Sequence, residues 1–319
     1  MNETNIIPVN TPVLSIQNIA NYLNISSQAV HKQIKAKDIT CPKIGKYSYI
    51  THAVSKQLLN IKFKKKKLIF HIVKGGTGKT TSIYNIASCI NAYGAKVLLI
   101  DIDPQGNLTD AMGIDAEEKP VLIDFINDDI PIKNGLVRIA DGIDLICSRI
   151  ENVVLDSIMV YEQLPLTRIF DDLFSEIEKD YDFIFIDCPP TLGHTVTAAY
   201  LYGDLVIAPL APNKFSSKGL KILQKEVKGI KKKFKKEINW KCFLNKFSQT
   251  TILSEKTIAE LFTNPALEDK TLKSAVRFAQ EIENLVDENK SLFSSIRKSF
   301  ARDDFELLTR ELFELHPHS

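Results

Sequence analysis

One stretch of the chain combines glycines with two lysines and three threonines, and it reads Lys74-Gly75-Gly76-Thr77-Gly78-Lys79-Thr80-Thr81. Glycines let backbone N–H groups approach phosphate oxygens, and the start of a following helix adds the positive end of its dipole. In such a loop Lys79 would contact the β- and γ-phosphates of a nucleotide, and the Thr80 hydroxyl would ligate Mg²⁺. The stretch predicts a phosphate-binding loop; the alternative is a glycine-rich turn that binds nothing.

Three aspartates stand where they could complete such a site. Asp101 and Asp103 follow the apolar run 96–100, and Asp187 ends the apolar run 183–187. Ligands of open α/β sheets bind outside the carboxyl ends of parallel strands, so we expect these side chains beside the loop. Asp187 is predicted to hold Mg²⁺, directly or through water. The alternative for Asp101 and Asp103 is a helix cap or a turn.

Apolar runs alternate with helical stripes and would position these residues. The run 68–73 before the loop is typical of a buried strand, and the residues after the loop are apolar at helical spacing. Further strands are predicted at 96–100, 143–147, 183–187, 205–209 and 240–244. The alternation predicts an α/β fold, with a mostly parallel sheet covered by helices on both faces.

The loop departs from the common phosphate-binding pattern, because Val73 replaces a glycine and Lys74 follows it. In this it resembles the deviant Walker A ATPases of the ParA/MinD family, whose loop reads Lys-Gly-Gly-x-Gly-Lys-Thr-Thr. Residues 101–107 are similar to the family's switch I motif, and 187–190 to its switch II motif. The resemblance over 68–319 implies a P-loop NTPase fold.

The resemblance also implies roles for single residues. Lys74 would reach across a dimer interface to the partner's nucleotide, and Asp103 would position the attacking water with Asp101 behind it. Catalysis is then expected from Lys74, Lys79 and Asp103, and Mg²⁺ ligation from Thr80, Asp103 and Asp187. ATP would contact the loop (Lys74, Gly75, Gly76, Thr77, Gly78, Lys79, Thr80, Thr81) and an adenine-wrapping segment with Pro209, Pro212 and Asn213.

Two other users of this loop type fit less well. The nitrogenase iron protein binds an iron–sulfur cluster through two cysteines per chain, and Cys188 has no second cysteine in a matching motif. Cys188 is therefore interpreted as a packed thiol. Tyrosine autokinases normally end in a tyrosine cluster, and residues 315–319 contain no tyrosine.

The first 67 residues hold 11 lysines, no arginine and two acids, a balance of +9 against −7 for the remainder. A basic head on an acidic body suggests that the head meets a polyanion, although the lysine run 64–67 could be only a solvated connector. The segment 19–50 resembles the winged helix-turn-helix modules of excisionase and MerR-type regulators. The alternative is a small helical docking module.

Within this head, Gln28 and Lys32 are predicted to reach base edges, because Gln suits adenine and Lys suits guanine. The full predicted DNA-binding set is Ser27, Gln28, His31, Lys32, Lys35, Lys43 and Lys46. A second basic surface is a predicted helix with eight lysines on its outer face between Lys218 and Lys236. That face is either solvated or a site for sequence-independent DNA binding.

The composition also bears on the cellular location and the number of domains. No apolar run is long enough for a membrane span, no secretion signal is visible, and five scattered cysteines favour free thiols in a reducing cytoplasm. The predicted domains are a winged helix-turn-helix head at 1–62, a basic linker at 63–67 and a ParA-type ATPase at 68–319.

Together these features predict a Mg²⁺-dependent DNA-partition ATPase, cytoplasmic and nucleoid-associated. ATP would drive a homodimer that binds DNA non-specifically, and a ParB-type centromere-binding protein would stimulate hydrolysis. The head would bind operator DNA for autoregulation. The alternative is a nucleotide-switched positioning or regulatory protein of the same family that acts on a non-DNA cargo.

Overall fold

The computed structural model describes residues 10–45, 47–128, 130–212, 214–248, 258–259 and 261–317. Two predicted functional residues, Lys46 and Asn213, lie outside these ranges. None of the described helices combines the length and apolar character that crossing a membrane requires.

The head, residues 13–59, is a small three-stranded antiparallel sheet with three helices. Its sheet has the order β1, β3, β2. Ser15 caps the first helix and Ser26 the second, each accepting a backbone N–H. In chain order the elements are β1 (Val13–Ser15), α1 (Ile16–Leu23), α2 (Ser27–Ala36), β2 (Lys43–Ile44), β3 (Tyr47–Thr51) and α3 (His52–Leu59).

The body contains a sheet of seven described strands, parallel except for one edge strand. Its strands are, in spatial order, β10 (Trp240–Leu244), β9 (Leu205–Leu210), β4 (Lys66–Phe70), β8 (Phe183–Asp187), β5 (Val97–Asp101), β7 (Ile143–Ile146) and the antiparallel β6 (Leu136–Ala140). The central strands β5 and β8 are buried throughout. This arrangement confirms the predicted α/β fold class of the body.

Helices and short 3-10 segments connect these strands. The described helices are α4 (Lys79–Ala92), α5 (Asn107–Ala111), α6 (Leu122–Asn127), α7 (Leu155–Tyr161), α8 (Ile169–Phe174), α9 (His194–Tyr202), α10 (Lys214–Phe234), α11 (Pro265–Glu268), α12 (Gln280–Asp287) and α13 (Phe300–Leu312). The 3-10 segments are Ile132–Gly135, Ile150–Val154 and Glu178–Asp180.

The lysine run differs from the predicted linker. Strand β4 begins at Lys66, two residues earlier than predicted, and ends at Phe70. Lys67 is held in place, since its ammonium lies 2.7 Å from a Glu178 carboxylate oxygen and 3.8 Å from the centre of the Tyr202 ring. The linker prediction for 63–67 was therefore wrong for Lys66 and Lys67, which belong to the sheet.

The head packs directly on the body through the last turn of α4 and through α13. Glu306 of α13 accepts hydrogen bonds from Asn18 of the head and from Tyr93 at the end of α4, both at 2.7 Å. Ser55 of α3 donates to the Ala92 carbonyl. At Gly94 φ is +103°, and an added Cβ would lie 3.1 Å from the Lys56 backbone nitrogen, so this approach requires glycine.

Arg302 is the centre of this contact. The residue is 2% exposed, and its guanidinium donates to three carbonyls, those of Val13 in the head and of Leu292 and Ser295 in the body, each at 2.7 Å. It also lies over the Phe293 ring. The Val13 N–H in turn donates to the Phe293 carbonyl. Head and body are therefore joined by buried main-chain and side-chain hydrogen bonds.

Replacing Arg302 should destabilise the whole chain. We expect Arg302→Met to lower the free energy of unfolding by about 3 kcal/mol, because two buried carbonyls and a partly buried one lose their donor. Urea unfolding followed by circular dichroism would measure it. The control Arg168→Met, at an exposed residue paired only on the surface, should change stability by less than about 0.5 kcal/mol. Equal stability of Arg302→Met and wild type would contradict the role of this contact.

Candidate nucleotide site

The glycine-rich loop lies between β4 and α4, at the carboxyl edge of the sheet. Lys79 is the first residue of α4 and only 8% exposed, and Gly78 stands at the helix N-cap with φ of +83°. A Cβ at Gly78 would lie 2.5 Å from the Asn245 side-chain nitrogen. The position therefore needs glycine for two reasons, its left-handed backbone and the close side chain.

Asn245 holds the loop from the neighbouring strand end. It follows β10, is buried, and donates from its side-chain amide to the Thr77 carbonyl at 2.8 Å. Asn245 is not among the residues predicted to form the site. A polar residue directly after a buried strand was the available signal, the same signal that identified the three aspartates.

The register of the sheet brings two aspartates together. Asp101 and Asp187 end adjacent parallel strands and are direct register partners. The Thr80 hydroxyl donates to Asp187 Oδ2 at 2.6 Å. Burial raises the pKa of Asp187 to about 7, against the opposing effects of the Thr80 hydrogen bond and the Lys79 charge. The loop, the helix start and this carboxylate thus form one site.

Asp101 supports the turn that carries Asp103. Its carboxylate accepts from the backbone N–H groups of Asp103 and Thr109, at 3.1 and 3.0 Å, and from the Thr109 hydroxyl. Burial, and next the charge of Asp187, raise the pKa of Asp101 well above its usual range. Asp101 therefore shapes the segment after β5, whereas Asp103, 6% exposed, lines a cavity.

That cavity, of about 360 Å³, opens between the segment after β5 and the segment after β8. Asp103 and Gln105 line one side, Pro189 and Thr191 the other, and Asp156 of α7 a third. Asp156 accepts from the backbone N–H and the hydroxyl of Thr195 at the start of α9. The two segments that resemble switch I and switch II therefore face each other across an open space.

The residues present fit a magnesium ion. Asp187 Oδ1 is buried and has no hydrogen-bond partner, so a cation there would satisfy it. Mg²⁺ usually takes one or two protein carboxylates and completes its shell with phosphate and water. No cluster of three His, Cys, Asp or Glu ligands occurs within the described ranges.

Other predicted residues lie in several places. Lys74 is half-buried at the loop start, where its N–H donates to the Ile72 carbonyl at 2.7 Å.

Pro209 is buried inside β9 opposite Phe243, near the end of the strand and not after it. It is tolerated there because β9 pairs with β4 only as far as Ile207. Contact of adenine with Pro209 and with half-buried Pro212 stays a prediction.

The described members of the predicted DNA-binding set lie on α2 and in the hairpin of the head. Gln28, His31, Lys32 and Lys35 are exposed on α2, while Val30 of the same helix is buried. Lys43 is exposed in the hairpin. Ser27 is half-buried and donates to the Gln17 side chain at 3.0 Å.

Two buried groups near the site remain uncharged. All five cysteines are free, and burial raises the pKa of the Cys188 thiol well above its usual range, as a packed thiol requires. His71, before the loop, bonds the Tyr200 hydroxyl at 2.7 Å and the Thr191 carbonyl at 2.9 Å. Because a carbonyl only accepts, Nε2 carries the proton and Nδ1 accepts from Tyr200. His71 thus ties β4 to the segment after β8.

The chain is similar to a known protein family and to several known proteins. A family model described as an AAA domain matches residues 65–240. The sporulation initiation inhibitor protein Soj of Bacillus subtilis and the chromosome-partitioning ATPase Soj of Treponema pallidum are each 34% identical over 172 residues, 50% and 52% of this chain. The matched segment spans 63% and 64% of those two relatives.

The fold is also found among solved structures. A plasmid partition protein of Borrelia burgdorferi, solved with AMPPNP, superposes with a TM-score of 0.66 at 20% identity and covers 79% of this chain and 99% of its own. At that identity the likeness speaks for the fold alone.

Acid should weaken the fold through His71. Burial lowers its pKa from the ordinary 6.5 to about 4, so the unfolded chain binds this proton first and stability is lost as pH falls from about 6.5 towards 4. We expect wild type to lose about 3 kcal/mol more over that interval than His71→Asn, measured by urea unfolding at each pH. His194→Asn, at an exposed histidine, should keep the wild-type slope. Parallel pH profiles for wild type and His71→Asn would refute the assignment.

Proposed function

The chain belongs to the AAA-domain family, in its ParA/MinD group of P-loop ATPases, and from this premise we propose that it is a DNA-partition ATPase. One observation carries the proposal. The Thr80 hydroxyl at the start of α4 bonds Asp187 at the end of β8, beside Lys79 and Asp103. Nucleoside triphosphate hydrolysis requires a glycine-rich loop at the start of a helix, a lysine and two carboxylates, and all of these meet here.

Each group has a task in that reaction. The backbone of the loop and Lys79 bind the phosphates, and the buried position of Lys79 keeps its charge directed at them. Asp103 orients the attacking water, and Asp101 fixes Asp103 through its backbone N–H. Thr80 and Asp187 would hold Mg²⁺, which neutralises charge on the phosphates when bound. Phosphoryl transfer depends mainly on such positioning and electrostatics.

A homodimer is part of the proposal. By the family resemblance, Lys74 enters the nucleotide site of a second copy and completes it. The cavity between the two switch-like segments supports this, because it leaves space next to Asp103. A ParB-type partner would accelerate hydrolysis in this dimer.

The chain is proposed to bind DNA in two ways, operator DNA through the head and nucleoid DNA through the body. The exposed polar and basic residues of α2 support operator binding by the head. The exposed lysines of α10, which include Lys221, Lys225 and Lys228, support sequence-independent binding to nucleoid DNA in the cytoplasm.

Hydrolysis should depend on both loop lysines in different ways. Lys79→Ala should reduce phosphate release at least about 100-fold and weaken nucleotide binding, since a buried charge on the phosphates is lost. Lys74→Ala should keep nucleotide binding but lose ATP-dependent dimerisation, measured by light scattering. Lys96→Ala, an exposed lysine before β5, is the control and should behave as wild type. Unchanged turnover in Lys79→Ala would refute the site.

The head should determine promoter preference. We expect Gln28→Ala/Lys32→Ala to lose its preference for the duplex upstream of its own coding sequence over random duplex, by roughly tenfold or more. ATP hydrolysis should be unchanged, because α2 lies outside the nucleotide site. Fluorescence anisotropy with ATP, ADP and no nucleotide would measure it. A full promoter preference in this variant would refute base readout by Gln28 and Lys32, whereas a wild type without any promoter preference would favour the docking-module alternative for the head.

A further inference from the structure

We propose that the ATPase body supplies part of the operator-binding surface, through Arg297 and Lys298 in the loop before α13. These two residues would contact the DNA phosphate backbone beside the helix-turn-helix. The inference rests on the proposed function, since it assumes that the head binds DNA.

A small polar cavity brings the two elements together. It has a volume of about 140 Å³ and lies between α1 of the head and the loop. Gln17, Asn18 and Asn21 line it from the head, and Arg297 and Lys298 from the body. The buried Arg302 and the carboxylate of Asp303 complete the lining. Of these charged groups Arg297, Lys298 and Asp303 are exposed, so two cations against one acid make the accessible part of this junction basic.

The position of this junction matches the way such modules dock. In a helix-turn-helix, the N-terminal residues of the second helix reach the bases while the first helix crosses the DNA backbone. Gln17 connects these two places here, because it accepts from Ser27 at the start of α2 and donates to Asn21 along α1. Cations beside the exposed edge of α1 therefore lie where phosphates would pass.

The loop is rigidly held in this position. Arg302 donates to the carbonyls of Ser295, in the loop, and of Val13, in the head, both at 2.7 Å. The loop therefore cannot shift without disturbing the head. Charges that are already in position lose little entropy when they meet a phosphate.

Arg297 and Lys298 have no structural task of their own that would explain their charge. Both are exposed, and neither forms an ion pair with any residue that the structure describes. Nearby Arg277 differs, because it is committed to a two-pronged ion pair with Asp304. Arg297 and Lys298 are thus available to an external anion.

The test is the salt dependence of promoter-DNA binding by the full chain with ADP. Each phosphate contact contributes roughly 0.9 to the slope of log K against log salt. Arg297→Ala/Lys298→Ala should therefore flatten the slope by about 2 and weaken binding roughly tenfold at physiological salt. Melting temperature and ATP hydrolysis should not change. The control Lys133→Ala/Arg168→Ala removes one lysine and one arginine from exposed body positions and should leave slope and affinity as in wild type.

Gln28→Ala/Lys32→Ala separates this inference from the proposed function. If that variant loses promoter preference while Arg297→Ala/Lys298→Ala keeps both slope and affinity, the body contributes nothing and the inference is wrong. It is also wrong if the loop variant weakens only random DNA. If wild type itself shows no promoter preference, operator binding by the head fails, and the inference fails with it.

Discussion

Two carboxylates at the ends of adjacent buried strands are the constraint on which the site depends. Asp101 and Asp187 are register partners, so the sheet forces two acids into one dry place. Each must be satisfied by what surrounds it. Asp101 takes three hydrogen bonds from the segment after β5, and Asp187 takes one from Thr80 and faces the charge of Lys79. Asp187 Oδ1 is left without a hydrogen-bond partner, and a bound cation would satisfy it.

Helix α4 connects this site to the opposite end of the body. Its first residue is Lys79 of the loop, and its last turn packs against the head through Ala92 and Tyr93. Glu306 joins Tyr93 and Asn18 in the same contact. A single rigid element therefore touches both the nucleotide site and the module proposed to bind DNA, and any displacement of α4 is felt at both.

Much of the body could be predicted from the sequence because its signals are local. Apolar runs ending in aspartate located β5 and β8, and the glycine loop located the start of α4. The edge strand β6 was missed, since exposed Arg138 interrupts its short apolar segment 136–140 and its other residues are only half-buried. Strand β1 was missed because three residues give no period. The position of Asn245 after a buried strand was a local signal, but its partner Thr77 and the partner of His71, Thr191, are far away in sequence, and no local pattern indicates such pairs.

The buried hub at Arg302 has a consequence for how such a chain can change over time. A domain that is merely tethered can be lost or exchanged without harm to its neighbour. Here the excision of residues 13–59 would leave a guanidinium without the Val13 carbonyl and Glu306 without Asn18. Loss of the head would therefore call for compensating substitutions on α13, so the contact couples the sequence of the body to the presence of the head.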